Sequence, residues 1–79
     1  MPTIFTDGPY RFYFFSREEP RKHVHVACSD GEVKIWLEPE ISVAKVINLS
    51  TSQVNTILDI VQKRKKDIDD DWNRHFSSN

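Results

Sequence analysis

The chain has 79 residues, with 11 Lys and Arg against 12 Asp and Glu, a formal net charge of −1 and one cysteine. That suffices for one small core, so residues 1–79 read as a single domain; it excludes an internal disulfide and argues against gripping nucleic acid by bulk charge. No apolar run reaches membrane-spanning length, and the first residues lack the basic-then-apolar layout of a signal peptide, so a cytoplasmic protein with no membrane partner is expected.

In chain order, residues 1–9 read as an N-terminal arm or short strand, with Ile4 and Phe5 followed by the turn-forming Asp7-Gly8-Pro9. Residues 10–48 read as a three- or four-stranded antiparallel β-meander. Its first strand, Tyr10 to Phe15, alternates Phe12 and Phe14 on one face with Arg11, Tyr13 and Phe15 on the other. Ser16 to Lys22 is a polar loop, and Pro20 belongs outside any ladder.

His23-Val24-His25-Val26-Ala27-Cys28 is the next strand. Parity sends Val24, Val26 and Cys28 to the core and both histidines to the opposite face. Asp30-Gly31 then fits a two-residue type I′ turn. That corner pairs Cys28 with Val33, Val26 with Ile35, Val24 with Leu37, His25 with Trp36 and His23 with Glu38. Pro39 ends the strand, and Ile41 to Ile47 forms a weaker fourth strand of undecided facing.

Residues 50–76 form the helical region. Ser50 and Gln53 have capping-box spacing, and Leu49 with Val54 the spacing of a hydrophobic staple. Val54, Ile57, Leu58 and Val61 make a stripe that Ile68, Trp72 and Phe76 extend. A continuous helix here would be about 39 Å long. Lys63 to Lys66 followed by acidic residues places a break between Lys66 and Asp69, and sets up i,i+4 pairs Lys63–Asp67, Lys65–Asp69 and Lys66–Asp70. The expected fold is α+β, with this long helix, continuous or broken at that point, packed on the Phe12/Val26/Ile35 face.

The chemistry-bearing residues collect on the other face. His23 and His25 project in parallel and can hold zinc or another divalent metal, or set an acid beside a base, with Glu38 orienting His23. A structural zinc needs at least a third protein ligand, and none stands at a recognisable spacing, so no cofactor is the default. Cys28 belongs to the core face. Tyr13, Phe15, His25, Lys34 and Trp36 would form an aromatic surface too large to leave uncovered; the long helix or N-terminal arm, a second copy and stacked bases compete as its cover, and a homodimer contact leads. Base stacking has only Arg11 and Lys34 as flanking cations, so nucleic acid is the weaker alternative.

Taken together, Met1-Pro2-Thr3-Ile4, Tyr10-Arg11-Phe12, His23-Val24-His25-Val26, Asp30-Gly31-Glu32, Trp36-Leu37-Glu38-Pro39 and Asp71-Trp72-Asn73 with His75-Phe76 resemble the domain-of-unknown-function 4160 family of small bacterial proteins. Members commonly carry Pro-Pro directly before the His-x-His, where this chain has Arg21-Lys22. The resemblance implies an α+β fold and a neighbouring gene for another small protein, in an arrangement similar to toxin–antitoxin modules. It implies no activity, substrate or cofactor. The leading expectation is a non-enzymatic interaction protein acting through the His23/His25/Trp36 face, with itself or with that neighbour's product. The alternative is a toxin-type ribonuclease or small metal-dependent hydrolase using His23 and His25 as acid and base or metal ligands, with Arg11 on phosphate.

Overall fold

The computed structural model describes residues 3–15 and 20–76. Residues 16–19 of the expected polar loop, and the first two residues of the arm, lie outside that range. Five strands, β1 (Thr3–Asp7), β2 (Tyr10–Tyr13), β3 (His23–Ala27), β4 (Glu32–Trp36) and β5 (Ser42–Ile47), precede two helices, α1 (Thr51–Lys63) and α2 (Lys65–Phe76). The strands form one antiparallel sheet in chain order. The α+β meander stands as expected, but the arm and the weak strand both join the sheet, giving five strands instead of three or four. None of the helices among the described residues is long and apolar enough to cross a membrane.

Local chemistry explains most of the boundaries. Asp7 pairs with Tyr10, leaving Gly8-Pro9 as a two-residue corner with Gly8 at φ 58°, the positive value that the first position of a type II′ turn requires. Ser50 caps α1: its hydroxyl accepts from the Gln53 amide at 3.1 Å and the Gln53 side chain accepts from the Ser50 amide at 2.9 Å. Between the helices, Arg64 departs from helical geometry at φ −110°, ψ 20°, and its guanidinium lies 3.6 Å from the centre of the Phe5 ring. The break therefore sits a little before the expected 66–69 window, where a cation–aromatic contact with β1 holds the corner. Lys65–Asp69 and Lys66–Asp70 pair at 2.6 and 3.0 Å, while Lys63 turns back to Asp59 at 3.2 Å instead of forward to Asp67. The backward choice puts the acid N-terminal to the base, the better orientation on a helix.

The core lies between one sheet face and both helices. Phe12, Val24, Val26, Val33 and Ile35 from the sheet, with Phe14 and Leu37 just past the ends of β2 and β4, are buried with Ile57 and Val61 of α1 and Ile68 and Trp72 of α2. Cys28 is half-buried at its margin.

The β3–β4 register differs from the expected one by two residues. His23 faces Trp36, Val24 faces Ile35, His25 faces Lys34, and Val26 faces Val33. The corner is Ser29-Asp30, closed by the Cys28 amide donating to the Gly31 carbonyl at 3.0 Å, and not Asp30-Gly31. Gly31 lacks the positive φ of a type I′ turn; its role is close approach, because a Cβ there would overlap the Ile47 carbonyl oxygen and come within 2.8 Å of that of Asn48. A shift of two preserves parity. Every residue therefore stays on its expected face but changes its cross-strand partner.

Candidate functional site

The face away from the helices is built from cross-strand rows. One row runs Thr3–Tyr13–His25–Lys34–Lys45 across all five strands. Beside it, His23, Trp36 and Ser42 form a second, and Thr6, Arg11, Ala27, Glu32 and Ile47 a third. Antiparallel pairing brings such residues within side-chain reach of one another.

Structure places His23 and His25 side by side, with ring centroids 5.0 Å apart, yet in different environments. His23 is enclosed, with 1% of its surface exposed, and its ring packs edge-on against Trp36 at 5.7 Å and Trp72 at 5.4 Å. Its Nδ1 lies 2.6 Å from the Arg21 carbonyl oxygen. A carbonyl only accepts, so Nδ1 carries the proton. His25 is half-buried; Tyr13 stacks on it at 5.4 Å and Phe15 meets it edge-on at 4.4 Å.

The expected orientation of His23 by Glu38 is not present. The two-residue shift puts Trp36 opposite His23, while Glu38 is exposed and accepts from the Lys22 amide at 3.2 Å. Arg11 lies 4.4 Å over the Tyr13 ring and donates to Thr3 Oγ1 at 3.3 Å. Among the described residues no group of three or more His, Cys, Asp or Glu converges into a metal site.

The aromatic surface is also less open than its composition suggests. Tyr13 is buried, and its hydroxyl donates to Glu32 at 3.3 Å. Trp36 is half-buried beneath two cations, the Arg21 guanidinium at 4.1 Å and the Lys34 ammonium at 4.5 Å from the ring centre. Cations cover these rings because β2 and β4 each place a basic residue two positions before an aromatic one on the same face, Arg11 before Tyr13 and Lys34 before Trp36. Arg21 adds a second cation to Trp36 from the residues before β3.

What remains open is the β4–β5 side. Phe15, His25, Glu32, Val33, Lys34, Lys45 and Ile47 line a cavity of about 280 Å³. Beside it, the large hydrophobic residues that are exposed among the described residues, Val43, Val46 and Ile47, all belong to β5, at 40%, 41% and 43% exposure. Sequence reasoning missed Lys45 and Ile47. A β-bulge between Lys45 and Val43 sets which of their neighbours face the cavity, and alternation alone carries no signal for it.

No curated protein and no solved structure matches the chain. The domain of unknown function DUF4160 matches residues 10–73, from the start of β2 through Trp72 and its neighbour. That span holds both histidines, Trp36, the β5 edge and the helix break, and it makes the chain a member of the DUF4160 family.

Proposed function

We propose that this protein is a non-enzymatic interaction module that binds a partner chain through the β4–β5 side of its sheet, with His25, Lys34 and Trp36 flanking the contact. One observation carries the reading. The exposed large aliphatic residues Val43, Val46 and Ile47 are gathered on a single edge strand next to the cavity, instead of being scattered over the surface. An edge strand also presents a row of backbone donors and acceptors with which another chain can pair. His23, at 1% exposure, supports this surface from within and does not touch the partner. The same enclosure weighs against the ribonuclease alternative, which needs His23 at a substrate.

The two-gene arrangement implied by the family resemblance makes the adjacent gene's product the first partner to test. Co-expression of that product with tagged protein should give a complex that survives gel filtration. Val46→Lys/Ile47→Lys should abolish it while the circular dichroism spectrum is unchanged. A complex that withstands the double substitution on a folded protein overturns the reading.

A further inference from the structure

We infer that α2 is a strap hinged at Arg64, which releases as one unit and uncovers His23 while the sheet and α1 stay folded. The hinge is visible in the backbone. Arg64 leaves helical geometry at φ −110°, ψ 20°, yet its amide donates to the Ile60 carbonyl at 2.9 Å and its carbonyl accepts from the Ile68 amide at 3.0 Å. Its guanidinium rests on the Phe5 ring, so the pivot is held against β1 by a contact that lies outside α2. Rotation about this one residue swings α2 without unwinding α1.

The two helices are held in different ways. α1 starts in a capping box, its Gln53 side chain also donates to the Asp30 carboxylate of the β3–β4 hairpin, and its Ile57 and Val61 are buried. α2 offers Ile68, Trp72 and half-buried Phe76 in a segment otherwise made of charged and polar residues. Its grip on the sheet centres on a cluster of rings: Trp72 against Phe14 at 5.3 Å and His23 at 5.4 Å, and Phe76 against Phe14 at 5.8 Å. The Lys22–Asp69 ion pair at 3.5 Å adds to it but is imperfectly made. Asp69 Oδ1 is buried and has no hydrogen-bond partner among the described residues, a cost that solvation on release removes. The Lys65–Asp69, Lys66–Asp70 and Arg74–Asp71 pairs lie within α2 and travel with it, so they do not oppose release. Once undocked, a helix of 12 residues is at the margin of stability in water, so its amides lose protection together.

The test is hydrogen exchange of the whole chain, isotopically labelled, in rising sub-denaturing urea. The amides from Ile68 to Phe76 should exchange as one set, at least about tenfold faster than those of β3, and with a weaker urea dependence because less surface opens. The His23 Nδ1 proton, donated to the Arg21 carbonyl, should follow the α2 set. Two substitutions separate the steps. Phe76→Ala loosens only the docking, which is common to both openings, and should speed the α2 and β3 sets by the same factor, at least about fivefold. Gln53→Ala weakens only the remainder of the fold and should speed β3 about fivefold while the α2 set keeps its rate. If α2 accelerates with β3 in Gln53→Ala, the helix opens only with the whole molecule and the inference falls. Exchange that quickens residue by residue toward Phe76 is end fraying and overturns it as well. So does a His23 proton that follows β3, or an α2 set unmoved by Phe76→Ala.

Discussion

Two ends of one sheet face behave differently. At the His23 end, Trp72 of α2 meets both Phe14 and the His23 imidazole edge-on, with ring centroids 5.3 and 5.4 Å apart, and His23 is enclosed. At the Lys45 end the row of His25, Lys34 and Lys45 borders a cavity, and Lys45 is exposed. Both ends share parity, strand pairing and a histidine. Strand alternation therefore tells which way a side chain points, but what stands above it decides whether it is structure or surface.

The comparison can be broken most forcefully at the closed end. Trp72→Ala removes the cover from His23 and a large part of the Phe14 contact, and should cost about 3–5 kcal/mol in urea unfolding, as large aromatic truncations in cores do. It should also bring the His23 ring to solvent, visible as accelerated reaction with diethyl pyrocarbonate relative to the parent protein. The two histidines give a direct contrast of intermediate size. His23→Ala leaves a cavity and an unsatisfied Arg21 carbonyl and should cost about 2 kcal/mol, whereas His25→Ala should cost less than about 1 kcal/mol. Equal losses in denaturant titrations would remove the distinction between the two ends. The smallest effect belongs to the open end. Lys45→Thr relieves the like-charge pair with Lys34 and substitutes a good strand former, so the melting temperature should rise slightly or stay unchanged. A fall of several degrees would mean that Lys45 stabilises the sheet itself.

The residues disclosed the layout better than the contacts. Ser50 and Gln53 identify the start of α1 because a capping box is local chemistry, complete within four residues. Alternation sorted Val24 and Val26 from His23 and His25 correctly, since an even shift of register leaves faces untouched. Asp30-Gly31 misled for a physical reason. The pair suits a type I′ corner, but Gly31 is required where the end of β5 crowds it, a long-range constraint invisible in the hairpin's own sequence. The helix break was legible as a charge transition yet lies at Arg64, because the Phe5 ring that holds the arginine comes from the far end of the chain. The site was half legible: His25, Lys34 and Trp36 follow from parity, whereas Lys45 and Ile47 depend on a bulge, and the enclosure of His23 depends on Trp72 forty-nine positions later.

The Ser29-Asp30 corner has one more consequence. Its Asp30 carbonyl accepts from the Asn48 side chain at 2.7 Å, and its carboxylate accepts from Gln53 at 3.0 Å, the same glutamine that completes the cap of α1. Asn48 reaches the corner from a left-handed backbone at φ 57°, a conformation asparagine tolerates better than most residues. The hairpin tip, the end of β5 and the first turn of the helix are thus riveted at one point. An exposed aliphatic edge is ordinarily where a small sheet begins to fray and swap strands between molecules. Here β5 is clamped at its Ile47 end, so any opening must start at Ser42 and run toward the rivet. The strand can accept a guest along its outer side while staying anchored to its own chain.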